Sequence, residues 1–290
     1  MYRSALFLLA IACSATDAPD SGSAADTAED TGPIHDSDSG GDTDTGTDTG
    51  TAFEACDGNL DLGATTAAST LDFAAGVDGE TPIYSFVTGT TADWNFTSSA
   101  GVGSPNGDGV TWSVPLPAAA WTVGMTHKTD AATWFPTNLR GSGSSATLPT
   151  ARAFNRAHFD ARMEFGGLAR DPAAGVVAVY VLDEASSPVT GATVTLGGSF
   201  ETAFVWQKVS VPTENGNEDI HVPVAQPSAQ TQGGALYYLD ACPGMTPVSV
   251  EGPCGACTLG TAADAPTTAD LVVAPDALSL SWWTCASTCE

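Results

Sequence analysis

A two-residue alternation, cut into short lengths by turn residues, decides what this chain can fold into from Phe53 onwards. "TPIYSFVTGT", "ADWNFTSS", "GVTWSVPL" and "WTVGMT" each carry a run of four to seven residues rich in Val, Thr and aromatics. Gly, Pro, Asn and Asp separate these runs, which reads as strands joined by turns. In "VTWSV", Val110, Trp112 and Val114 share one face and Thr111 and Ser113 the other, as a half-buried strand requires. Pro115 and Pro117 are expected to end that strand.

One segment breaks the pattern. "TARAFNRAHFDARMEFGGLA" brings Ala151, Phe154, His158, Ala161 and Phe165 near one helical stripe, with Gly166 and Gly167 as stops. It reads as a helix connecting two β units; a basic, membrane-binding helix is the alternative. The expected fold class is therefore mainly β, with two β-sandwich-like units joined by a short helix. The expected organisation is a signal peptide at 1–12, a lipidated cysteine and disordered Asp/Thr/Gly linker at 13–52, an N-terminal β unit at 53–150, the helix at 151–170 and a C-terminal sandwich at 171–290.

The N-terminal residues carry an address. "MYRSALFLLAIAC" has Arg3 and then an apolar run from Ala5 to Ala12, too short to span about 30 Å of hydrocarbon, so it reads as a signal peptide. Leu9 to Ala12 before Cys13 resemble the lipobox of bacterial lipoproteins, which implies a lipid on Cys13 and a membrane partner. Ala10 and Ala12 also satisfy the small-x-small rule of ordinary secretion, which stays open as the alternative. From Ser14 to Gly50 there are 37 residues with ten acids and no Lys or Arg. Such a tract cannot bury apolar area to offset its ordering entropy, and its charges swell it. As a coil it spans roughly 35 Å, and stretched about 120 Å. A calcium loop is a poor fit: counted from Asp36, position five is Gly40 and position twelve is Thr47, where acid or amide ligands are needed.

Charge narrows the partners. Thirty-four acids against eight bases give a formal charge of -26, which repels nucleic acid. Five of the eight bases fall between Arg140 and Arg170. With Cys13 assigned to lipid, Cys56, Cys242, Cys254, Cys257, Cys285 and Cys289 make an even set in an exported chain, so disulfides are the first reading. A zinc site and a redox C-x-x-C at Cys254 and Cys257 are the competing ones. Five of the seven cysteines lie in the last 49 residues, where staples would secure the C-terminal part.

Farther along, "GVVAVYVLDEASSPVTGATVTLGG" and "TQGGALYYLDACPGMTPVSVEG" resemble the carboxypeptidase regulatory-like domain, a transthyretin-like β-sandwich. The resemblance rests on Val176 to Asp183, Pro188, Val189, Gly191, Ala192, Val194 and Leu196, then Thr231, Gly234, Tyr237, Leu239, Pro243, Gly244, Val248 and Val250. It covers roughly Asp171 to Pro253 and implies an accessory module without catalysis of its own. Independently of the family, Ala192, Val194 and Leu196 point opposite to Thr193 and Thr195. Pro188 and Gly191 bracket hairpin-like turn chemistry between two strands, and Phe204 and Trp206 offer bulk for a sandwich core.

No catalytic constellation emerges. His35, His127, His158 and His221 are isolated, without H-x-x-E or H-E-x-x-H, so no metal or cofactor is expected. "DSGG" at Asp38 lies in the acidic tract, where no scaffold orients a base. Seven Trp, including the pair Trp282 and Trp283, fit core packing or a carbohydrate-stacking face. Two functions follow: a non-catalytic lipoprotein of the bacterial envelope that binds a protein or glycan or serves structurally, or a secreted carbohydrate-binding or hydrolytic protein using Trp and carboxylates.

Overall fold

Among the described residues three β-sheets and one helix form, and one large sheet runs through both halves of the sequence. The computed structural model describes residues 66–79, 86–117, 120–143, 150–213, 216–260 and 265–289. All belong to one compact unit, Phe53–Glu290.

The first sheet joins β1 (Ser69–Asp78), β2 (Phe86–Thr88), β5 (Ser104–Pro105), β6 (Thr111–Leu116) and β9 (Thr150–Ala153). The shared sheet contains β3 (Trp94–Ser98), β4 (Gly101–Val102), β7 (Ala120–His127), β8 (Thr137–Ser142), β10 (Gly175–Asp183), β12 (Thr202–Thr213), β13 (Gly216–Ala225), β14 (Ala235–Ala241) and β19 (Leu278–Cys285), with β17 (Thr258–Leu259) beside β19. The third sheet holds β11 (Thr193–Leu196), β15 (Gly244–Gly252), β16 (Gly255–Ala256) and β18 (Thr268–Val273). Helix α1 spans Arg156–Phe165.

Strand order in the shared sheet is β13-β12-β14-β10-β19-β8-β7-β3-β4. At its centre β19 pairs in parallel with β10 on one side and with β8 on the other. Leu139 faces Leu280 across the β8–β19 pair, so their side chains lie on the same face. That face carries two cores. Leu139, Val123, Met125, Trp121, Trp94 and Phe96 pack under the first sheet with Phe73, Trp112 and Val114. Leu280, Tyr180, Tyr237 and Phe204 pack under α1 with Phe159 and Met163. The opposite face of the shared sheet belongs to the third sheet, whose Val194, Leu196, Val248 and Leu271 close on Val177, Val179, Tyr238 and Trp283. Two sandwiches thus lie on opposite faces of one sheet, offset along it. The half-buried Trp282 packs against both cores of the first face.

Most expected strands form as the alternation requires: Trp112, Val114 and Leu116 are buried in β6, and Ala192, Val194 and Leu196 beside exposed Thr193 and Thr195. Five details differ. Pro115 lies inside β6, opposite Thr70 of β1 and beyond the reach of β5, which pairs only with Trp112 and Ser113, so its missing N–H costs no ladder bond on that side. Residues 150–153 pair in parallel with β1 instead of starting the helix, which begins after Asn155, whose side chain accepts the His158 N–H. The buried helical positions are Phe159 and Met163, whereas Phe165 is exposed. Finally, Pro188 and Gly191 join strands of different sheets, not a hairpin, because β10 pairs with β14 and β19 while β11 pairs with β15. Phe204 and Trp206 pack on the helix side of the shared sheet, outside the sandwich core.

Candidate functional site

The polar groups placed for chemistry gather around α1. Asp78 ends β1, and its side chain is fully buried. Its Oδ1 is 3.5 Å from Arg162 Nη2 and its Oδ2 is 3.7 Å from His158 Nδ1. His158 and Arg162 stand one helical turn apart, on the same side of α1. Burial raises the Asp78 pKa against the opposing pull of Arg162 and His158. A carboxylate behind an imidazole is part of a general-base unit, but a hydrolase of that type needs a hydroxyl or thiol on the imidazole's far side. Among the described residues none hydrogen-bonds to His158. The two pairs link α1 to the end of β1 in the first sheet.

A second network fixes the other flank of the helix. Arg170 reaches Asp276 at 2.8 Å and Asp160 at 3.1 Å, and Arg156 also pairs with Asp276. Both guanidinium groups lie over the Phe135 ring, at 4.6 and 4.7 Å from its centroid. Arg152 stacks on Phe86 and Tyr180, and Arg140 donates to Thr122 Oγ1. The basic cluster of the sequence is thus engaged inside the fold, which leaves the membrane-binding reading of the helix without its charges. The crevice between α1 and the shared sheet, among Phe135, Phe154, Phe159, Val176, Ala277 and Leu278, is apolar and too narrow to hold a water molecule.

The third polar feature is Asp240, buried at the end of β14 with φ +53°. Its Oδ1 accepts the Asp171 N–H at 2.8 Å. Burial first, then a hydrogen bond with Glu201, pushes its pKa up to about 7. Sequence reasoning missed both Asp78 and Asp240. The available signal was an acid at the end of an apolar run, in "FAAGVD" and "YYLDA".

The cysteine pairs are Cys254–Cys289 and Cys257–Cys285, with Cα separations of 4.7 and 4.3 Å. Cys242 is disulfide-bonded as well. The zinc and redox readings of Cys254 and Cys257 are displaced by this nested pairing, in which each cysteine of the C-x2-C takes a partner near the C-terminus. Cys13 and Cys56 lie outside the described residues. Trp283 is fully buried, its indole N–H bonded to Ser281 Oγ at 3.0 Å, and Trp282 is half-buried, stacked on Tyr180. Trp94, Trp112 and Trp121 are buried too, and Trp134 and Trp206 are partly buried. Of the seven tryptophans, four are buried and Trp134, Trp206 and Trp282 are half-buried. Among the described residues no group of three His, Cys, Asp or Glu side chains is placed to hold a metal ion, and no helix is long and apolar enough to cross a membrane.

No protein-family model and no curated protein sequence matches the chain. Solved structures similar to it include the TIE protein of Bacillus anthracis, at a TM-score of 0.23 and 9% identity, covering 77% of this chain and 41% of that one. The shaft pilin SpaA of Lactobacillus rhamnosus GG gives 0.20 and 11%, covering 78% and 100%. The major pilin T-13 of Streptococcus pyogenes gives 0.19 and 9%, covering 77% and 98%. Such TM-scores carry nothing about function, and the fold class stands on the strand pairing itself.

Proposed function

We propose that the chain is a non-catalytic lipoprotein of the bacterial cell envelope, in which a lipid on Cys13 and the acidic spacer display a rigid double β-sandwich at the surface. The observation that carries this is the order of segments: a short apolar leader, a cysteine after small residues, 37 residues without a base, then the folded unit. The fold supports the non-catalytic part, because its Arg groups and the buried Asp78 are spent on anchoring α1. The C-terminal sandwich fits the carboxypeptidase regulatory-like module, with Ala192, Val194, Leu196, Val248 and Val250 in its core as that module's alternation requires. The full burial of Trp283 and its indole N–H bond to Ser281 favour core packing over ligand stacking for that residue.

Mass spectrometry of the mature N-terminus tests the anchor. A chain beginning at a diacylated Cys13, and loss of membrane association in Cys13→Ala, is the expected result. A mature chain with an unmodified Cys13, or one that keeps its leader, overturns it.

A further inference from the structure

The strand that starts the N-terminal half of the shared sheet carries an acceptor for a sugar. Of the seven asparagines only Asn95 is followed two residues later by Ser or Thr, in Asn95-Phe96-Thr97, with no Pro between. This is the N-glycosylation pattern, which requires an asparagine carboxamide for attack and a hydroxyl two residues on to be read with it. Asp93 stands two residues ahead, giving the acid that the extended bacterial form of this acceptor carries.

A three-residue match arises often by chance, so its setting decides. Period-two alternation in β3 turns Trp94 and Phe96 into the core, where they are 2% and 0% exposed. Asn95 and Thr97 turn to the other side and are both exposed. On that side the third sheet covers β10, β14 and β19 but contributes nothing over β3 and β7. The neighbours of the two acceptor residues across the ladder are the exposed Thr126 and the half-buried Gly124, the latter without a side chain. The Asn95 carboxamide makes no hydrogen bond among the described residues. Asp93 is exposed in the preceding turn, accepting from Thr90 at 2.6 Å.

We infer that Asn95 is an N-glycosylation site, modified during export by an oligosaccharyltransferase acting on a lipid-pyrophosphate-linked oligosaccharide. The carboxamide nitrogen attacks the anomeric carbon and an N–C bond forms. The anomeric C–O bond breaks, the lipid pyrophosphate leaves with its electron pair, and the amide gives up one proton. Asn95 pairs with Thr126 in the β3–β7 ladder, so the transfer happens on the extended chain before that ladder closes. The finished fold then holds the glycan outward, on the uncovered face. The inference rests on the export proposed above.

The test is peptide mass spectrometry of the full chain purified from cells that produce it, cut before Asp so that Asp93–Gly107 is released as one fragment. The expected result is that fragment carrying a hexose- or N-acetylhexosamine-containing mass, lost in Asn95→Gln and Thr97→Ala and kept in Thr97→Ser. Both positions are exposed on the strand, and the Thr97→Ser chain controls for folding. An unmodified fragment in a chain whose leader has been removed overturns this inference alone. An unmodified fragment in a chain that retains its leader overturns the export reading with it.

Discussion

Asp240 occupies a position that disfavours its own charge. It is 2% exposed, faces Glu201 and Asp171, and holds a left-handed backbone that Asp and Asn tolerate better than most residues. Its folded pKa of about 7 lies above the ordinary 3.8, so the folded chain binds a proton more tightly than the unfolded one. The stability linked to that proton is fully present below the ordinary value and is lost as pH rises through about 7. Asp240→Asn keeps the acceptor for the Asp171 N–H and offers Glu201 a permanent donor. Urea midpoints at about pH 5 and about pH 8 should therefore fall less in Asp240→Asn than in the parent; equal falls would show that the proton is held elsewhere. At the same scale, Gly141 faces Trp121 across the β7–β8 ladder, and a Cβ there would sit 2.3 Å from the indole ring. The ring is held in place by its N–H bond to the Gly143 carbonyl at 3.0 Å. Gly141→Ala should cost about 1–3 kcal/mol, measurable by chemical denaturation, because a packed core ring has nowhere to move.

Elements show where sequence periodicity stops being informative. The faces of β6 and β11 were legible because Trp112 and Val114, or Ala192, Val194 and Leu196, alternate with polar residues. The start of α1 was not: Ala151 and Phe154 fit a helical stripe, yet Ala151 and Ala153 are fully buried in a strand paired with β1, and only Asn155, as cap, marks the true boundary. Among the anchoring groups, the cluster of five arginines was legible as composition, while their carboxylate partners were not, since Arg170–Asp276 and Arg162–Asp78 join residues far apart in sequence. The two staples give a test of what their burial is worth. Their loops span 35 and 28 residues, a difference that chain entropy values at only about 0.2 kcal/mol in favour of Cys254–Cys289. Cys257 and Cys285 are 0% and 1% exposed inside the C-terminal core, while Cys289 is exposed. Replacing Cys257 and Cys285 by Ala should thus cost the upper part of the usual range of about 2–5 kcal/mol, and replacing Cys254 and Cys289 clearly less. Equal shifts in denaturation midpoint would mean that loop entropy alone decides. Gly252 gives a companion expectation, since a Cβ there would lie 2.9 Å from both Cys257 Sγ and Cys285 Sγ; Gly252→Ala should slow formation of this disulfide on reoxidation.

For the folded unit as a whole, the parallel pairing of β8 with β19 is the joint between the two sandwiches. Leu139 and Leu280 face each other there although they are separated by more than half the described chain. Periodicity assigns a strand its faces but not its partners, so two units were expected from the sequence while the single sheet through both was out of reach. The joint has an energetic consequence. Beads on a string would unfold separately, whereas here the C-terminal strand β19 has β10 on one side and β8 on the other, and Trp282 packs against the cores of both halves. Removing either half would leave a central strand edge without its ladder and the Trp282 ring without half its contacts, each costly in a close-packed interior. Leu139→Ala isolates the question, because Leu139 is 0% exposed, belongs to the N-terminal core and lies on the strand next to β19. A buried Leu→Ala change costs about 2–5 kcal/mol. With the sheet coupling the halves, calorimetry of the full chain should show one transition moved to lower temperature, with its calorimetric and van't Hoff enthalpies still equal. Independent sandwiches would instead split the trace, the N-terminal transition falling and the disulfide-bonded C-terminal one staying where it was in the parent.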